Sequence, residues 1–483
     1  MLRSMYAGIS GMKVNQTKLD VIGNNVANVG TTSFKGSRVR FQDMLSQNVK
    51  YGSGSMRNTG GVNPSQVGLG AQIAGIDRIV TQGNMQPTGR NLDVAMDGAG
   101  YFMVASGPVP DSNFKGMQVN NSSYTVSGGN GMSVSYTRDG SFALDTQGYL
   151  VTSDGLRVLG YPVMSLDKDG NEDGLSIDYS KGGLSQFVDA DNEYGVKAQN
   201  NLVPMRIPDS IYVNASVLNE KSMSGVGMTN DITKTPKITL NEGKPYEGGQ
   251  DLSVEVRMIQ KDTSYKVVND DGTLADDPTD IAAGTWAVYV NGELAGPVGE
   301  DLNYVLEKPT TDKDGTVVPG KVVKVNVDGG DLPSPAADEI KKYKDTVFTQ
   351  SVYSEGDRKI RTFNIEKDGT IKGILEDGKV AILGQLAVAS FQNPEGLTSI
   401  GKNGFITSPN SGAPIIRSGL GADPAYDNSD GYGEVMNGML EMSNVDLAEQ
   451  FTDMIVATRA FQANSKIIST GDEILQELIN LKR

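Results

Sequence analysis

Every seventh residue from 447 to 475 is large and apolar: Leu447, Met454, Phe461, Ile468 and Leu475. Phe451, Ile455, Ile467, Ile474, Leu478 and Ile479 widen that stripe. The other end of the chain repeats the spacing with Met5, Met12, Leu19 and Val26, and Leu2, Ile9, Ile22 and Val29 fill adjacent rows. A seven-residue period is that of a helix lying along another helix. Ser443 followed by Asp446 reads as a capping box for the second helix, and Gly30 as a stop for the first. At the α-helical rise the two would span roughly 60 Å and roughly 40 Å. Their charges are complementary, +2 for residues 1–29 and −3 for residues 441–483. The simplest reading is an intramolecular two-helix coiled coil. The sharper one is that a single pair cannot cover so wide a stripe, so further copies of the chain must. Gly11, Gly23 and Gly471 weaken each helix by about 1 kcal/mol apiece relative to Ala, which favours helices formed on assembly.

Between these ends the 483-residue chain reads as β structure in several domains. Asp-Gly pairs at 97–98, 139–140, 154–155, 169–170, 271–272, 314–315, 368–369 and 377–378 stand among alternating or β-branched runs such as Trp286–Val290 and Lys321–Val325. That is repeated hairpin chemistry. Residues 46–70 are rich in Gly, Ser and Asn and read as an extended connector, whereas 166–200 and 300–345 are acidic and turn-rich and flank or interrupt an insertion.

The inventory excludes much. There is no cysteine and no histidine, which removes disulfides, thiol nucleophiles, Ser-His-Asp triads and nearly every zinc site. A net charge of −16 argues against nucleic acid or an anionic membrane as the main partner. No run approaches the ~20 apolar residues of a membrane span, and MLRSMYAGISGMK is a poor Sec signal peptide. Residues 315–321 match phosphate-loop spacing until Val322 stands where Ser or Thr is required. Asp167, Asp169 and Asn171 have calcium-loop spacing, but Glu172 occupies the place of the turn glycine. No catalytic, cofactor-binding or metal-binding residue is therefore expected. A carbohydrate-active enzyme would need turnover lost on one carboxylate substitution. An adhesin would bind a host ligand through residues 166–360.

Leu19–Lys35, LDVIGNNVANVGTTSFK, resembles the N-terminal signature of the bacterial flagellar rod and hook axial proteins, carried here by Asn24, Asn25, Asn28, Phe34 and Lys35. Residues 82–104, 136–161 and 383–397 resemble the family's inner β-domain, and 438–483 its C-terminal block. The NVDLAEQFTDMI wording, the INLKR ending and the long central insertion favour the hook branch; a distal rod or other axial protein is the alternative. The resemblance implies a mainly β, multi-domain fold of barrel- or sandwich-like domains nested by insertion, with the long terminal α-helices paired. It divides the chain into 1–29 with 440–483 (helical polymerisation domain), 30–70 (connector), 71–165 with 362–430 (inner β-domain) and 166–361 (one or two outer domains). It further implies a self-assembling, non-enzymatic subunit of a flexible tube that transmits torque from rod to filament and lines the export channel. The heptad faces would form the wall. Expected partners are other copies, the distal rod protein, the hook cap, the hook–filament junction proteins and the flagellar type III export apparatus. Expected location is the flagellar hook, extracellular or, in a spirochaete, periplasmic.

Overall fold

The two heptad stretches fold as the helices α1 (Leu2–Ala27) and α2 (Leu447–Leu481). They run antiparallel: Met5 lies against Gly471, Gly8 against Ile468, and Lys18 pairs with Asp453. The computed structural model describes residues 2–481 except 58, 121–124, 129–130, 167–171, 193–194, 229–231, 233, 247, 312–316, 319, 331, 337–338, 417–418 and 420–432. The calcium-like Asp167–Asn171, Asp169-Gly170, Asp314-Gly315 and part of the 315–321 stretch lie outside the described residues.

The expected connector is a different object. Strands β1 (Ser37–Asp43), β2 (Ser46–Lys50), β3 (Ser65–Gly68) and β4 (Ala71–Arg78) form one long antiparallel ribbon, β1 with β4 and β2 with β3. Bridges from Ser53 to Val62 and from Met56 to Thr59 extend it toward its tip. Residues 71–78, expected in the inner domain, therefore belong to this arm. The ribbon carries exposed apolar side chains, among them Leu45, Tyr51 and Met56. Its root packs on α1, where the Ser10 hydroxyl accepts the Ala71 amide at 3.3 Å.

The β body is organised around Tyr101–Ser106, which hydrogen-bonds to 133–137, 157–161 and 388–390. Strand 157–161 also pairs with 201–204 and 380–386, and 356–365 pairs with 210–213 and 370–375. Val163, Val188, Ile207 and Ile211 are buried in the same cores as Phe102 and Tyr161. The body thus continues through residue 213, past the expected boundary at 166. Asp154-Gly155, Asp368-Gly369 and Asp377-Gly378 make tight turns joining paired strands, as their sequence predicts.

Residues from about 216 to 352 make an outer unit of a four-stranded and a five-stranded sheet. Alternation along its strands buries Leu252, Val254, Val256 and Met258 on one strand and Val323, Val325 and Val327 on another. Both sheets contribute to one core with Trp286, Phe348 and Tyr246, and a small satellite cluster lies around Ile259 and Tyr265.

Candidate assembly surface and the joint beneath it

Along the helix pair, contact is closest where side chains are smallest. A Cβ on Gly11 would lie 2.6 Å from Asn464 Nδ2, and one on Gly471 would lie 3.1 Å from Met5 Cγ. These glycines lower helix propensity but let the helix axes approach. Gly23, by contrast, faces open space. The structure sets Met454, Phe461, Ile468 and Leu475 half-buried along the seam, with Leu447 exposed at its end. On α1, Met5, Met12, Leu19 and Val26 are also half-buried. The apolar residues α1 buries are Val14 and Ile22, with Asn25 beside them. Their signal was present in the i, i+3, i+4 rows flanking the seven-residue repeat.

What α1 leaves uncovered is the flank of α2. Phe451 is 51% exposed, Ile455 63%, Ile474 50% and Ile479 64%, and Val456, Ile467 and Leu478 are exposed with them. Only Ala457 and Gly471 of the whole helix are buried. A 35-residue helix that turns this many large apolar side chains to water presents an uncovered apolar face, more than an isolated subunit ordinarily exposes.

The start of α2 also differs from expectation. Asp446, not Ser443, caps it: Asp446 Oδ1 accepts the Ala448 amide at 2.8 Å and the Glu449 amide at 3.3 Å. The Ser443 hydroxyl serves the Val445 amide instead. At the same end of the pair, Asn28 Nδ2 donates to the Asn24 carbonyl and side-chain oxygen, both at 2.9 Å, closing the last turn of α1.

Beneath the helices three of the signature residues, Asn25, Phe34 and Lys35, enter a polar joint. Asn25 Nδ2 donates to the Ser37 carbonyl and to Gln450 of α2, while its Oδ1 accepts the Ser37 amide. The Phe34 carbonyl accepts the Asn444 amide. Lys35 Nζ donates to Glu441 Oε1 at 2.6 Å and to the Thr81 carbonyl at 2.8 Å. Arg138 Nε meets the other oxygen of Glu441 at 2.9 Å, and its Nη2 donates to the carbonyls of Met96 and Gly98. The Gly83 amide is a further donor to Glu441. Burial pushes the Lys35 ammonium below its usual pKa, and the hydrogen bond and charge of Glu441 oppose that push. Asp97-Gly98 and Asp139-Gly140, read as hairpin turns, belong to this joint: Thr32 Oγ1 donates to Asp139, and Gly140 lies against the Val94 carbonyl. Arg138 and Glu441 were not singled out from the sequence. Each is an ordinary charge there, and nothing local marks it as buried.

Among the described residues no group of three or more acidic side chains could hold a metal. A β body closed by a buried joint, with two paired helices whose apolar flank is unused, is the build of a self-associating structural subunit. Family models agree and name the class. Residues 5–35 match the flagella basal body rod protein, 121–203 the flagellar hook protein FlgE/F/G D1 domain, and 436–481 the flagellar basal body rod FlgEFG protein C-terminal region. The chain is 32% identical to flagellar hook protein FlgE of Borreliella burgdorferi and 32% to that of Treponema pallidum, in both cases across 100% of each chain. It is 29% identical to the Escherichia coli hook protein over 98% of both. The chain belongs to the flagellar hook protein family, and is a structural subunit of the flagellum rather than an enzyme.

Proposed function

We propose that copies of this chain polymerise through the flanks of α1 and α2 into a flexible helical tube, the wall of a channel, that carries torque from rod to filament. Identical contacts whose rotation does not close a ring generate an open helix of subunits. The observation that carries the reading is the exposed apolar flank of α2 from Phe451 to Ile479. Burying a large aliphatic side chain is worth about 1.5–3 kcal/mol, so a few per subunit drive association. The 37–78 ribbon adds further apolar surface beside the helices. Expected neighbours at the ends of the tube are the distal rod protein, the hook cap and the hook–filament junction proteins. The chain reaches its place through the flagellar type III export apparatus. There the tube is extracellular, or periplasmic in a spirochaete.

Ile455 and Ile474 are exposed in the lone subunit, so their substitution tests assembly without disturbing the fold. Electron microscopy of concentrated protein should show tubes of fixed diameter for the unaltered chain and none for Ile455→Asp with Ile474→Asp. Normal tubes from the double variant would refute the helix-wall reading.

A further inference from the structure

The outer unit joins the body through two chain crossings, near Ser216 and near Tyr353. The crossings are tied to each other: the Ser216 amide donates to the Tyr353 carbonyl at 3.0 Å, and the Ser216 hydroxyl accepts the Tyr353 amide at 2.8 Å. Two chain segments bonded side by side form a narrow strap about which the outer unit can pivot. One carboxylate bridges that strap. Asp251, at the lower edge of the outer unit, receives Lys379 Nζ at 2.6 Å and Arg358 Nη2 at 3.2 Å. Both cations belong to the body, Lys379 on the turn after Asp377-Gly378 and Arg358 on the strand that follows the second crossing. The Ser354 amide and hydroxyl also donate to Asp251, and Lys379 lies 3.9 Å from the centre of the Tyr353 ring. Tyr353 in turn donates its hydroxyl to Asp189 of the body.

Two features make this contact different from the joint under the helices. It is wetter: the Asp251, Arg358 and Lys379 side chains are 23%, 20% and 28% exposed, against 0–5% for Glu441, Lys35 and Arg138. Its cations also have a second carboxylate within the body. Asp377 stands 3.8 Å from Lys379 and 3.9 Å from Arg358. If Asp251 leaves, neither cation is stranded, because Asp377 and solvent take them. Removing a partner from a buried pair is severe, whereas a half-exposed pair with a substitute anion can exchange.

We propose that Asp251 is an exchangeable latch that sets the orientation of the outer unit on the body, Lys379 and Arg358 passing to Asp377 when the unit swings about the Ser216–Tyr353 strap. The consequence, that such swinging helps a tube of these subunits bend, rests on the assembly reading above; the latch itself does not.

The chain has no cysteine, so paired nitroxide labels can be attached to Glu293→Cys in the outer unit and Thr398→Cys in the body of the full-length dilute monomer. Pulsed dipolar spectroscopy should give one narrow distance distribution in the unaltered background. Asp251→Ala should broaden it at least twofold, and Lys379→Met should broaden it less. Emission from Trp286, the one tryptophan and buried in the outer core, should stay unchanged and so separate release from unfolding. An unchanged distribution in Asp251→Ala overturns the latch. Should that variant shift the Trp286 emission, Lys379→Met decides, since it lies outside the outer unit: broadening supports the latch and an unchanged width overturns it. None of these readings depends on polymerisation. Tubes scored from the same proteins by microscopy therefore test the assembly reading separately.

Discussion

Lys35 and Glu441 stand 406 residues apart in the chain, and their side chains meet at 2.6 Å with 1% and 0% exposure. The first follows α1 and the second precedes α2, so one ion pair closes the base from which both helices leave. Arg138 of the body completes it on the other carboxylate oxygen. Each ion alone would be costly to bury. Together, with the Thr81, Met96 and Gly98 carbonyls and the Gly83 amide as further partners, their bonds are made.

Breaking this joint from the anionic side leaves two buried cations facing each other. Glu441→Leu should destabilise the protein by about 3–5 kcal/mol, the range for removing one member of a buried ion pair. Urea unfolding measures it. Lys35→Met should cost less, since Arg138 still neutralises Glu441. Equal losses in the two variants would mean that the carboxylate does not serve both cations.

At the start of α2, Asp446→Ala should cost about 0.5–2 kcal/mol through the lost cap, and Ser443→Ala much less. Amide hydrogen exchange of the first α2 turn separates them. Faster exchange at Ala448 and Glu449 in the Ser443 variant alone would restore the capping box that the sequence suggests.

The helices were legible because one apolar period persists through several turns, a signal that local chemistry rarely mimics. The ribbon at 37–78 was not. Every residue of its two outer strands, 46–50 and 65–68, is exposed, so no buried face imposes alternation, and Gly, Ser and Asn made the stretch look like a loop. The boundary drawn at 166 followed acidic, turn-rich composition. What holds 201–213 in the body is pairing with 157–161 and 356–365, which composition does not encode. The same limit hid the joint. Lys35 was noticed as part of a signature, but Arg138 and Glu441 become special only once three remote segments converge. The flank proposed for assembly was partly visible: Phe451, Ile455 and Ile474 widened the stripe, while the seam residues Met454, Phe461 and Ile468 are shared with α1.

Two Asp-Gly turns that look alike in sequence should respond differently to a methyl group. Gly155 has φ of +78° and open space around it, so Gly155→Ala meets only backbone strain, about 1–2 kcal/mol. Gly140 has no positive φ, yet a Cβ there would fall 1.6 Å from the Val94 carbonyl oxygen. Backbone cannot step aside as a side chain can. Gly140→Ala should therefore exceed the usual ~3 kcal/mol ceiling of single substitutions, read as a much larger fall in the urea midpoint than Gly155→Ala produces. Similar falls would show that the 139–142 segment can shift away from Val94.

Alkaline stability gives the last test. Tyr136 is buried beside Phe391, with ring centres 4.9 Å apart, and burial pushes its hydroxyl up to about 12 from the ordinary 10.0. Between those values the unfolded chain has lost the proton and the folded chain keeps it. Folding then binds a proton, and stability must fall with rising pH. The contribution is whole below pH 10 and disappears as pH rises through about 12. Lys35 acts in the opposite sense: its lowered pKa makes stability rise with pH up to 10.5. Comparing the chain with Tyr136→Phe cancels that background, because the substitution keeps the ring and removes only the ionisable group. Urea midpoints at pH 9, 10 and 11 should converge on equal stability for the two proteins at pH 9, apart from a fixed offset. At pH 11 Tyr136→Phe should gain relative to the unaltered chain by roughly 1 kcal/mol, the linkage expected for about one pH unit. A constant offset across the series would mean that the Tyr136 hydroxyl ionises as freely in the folded protein as in water.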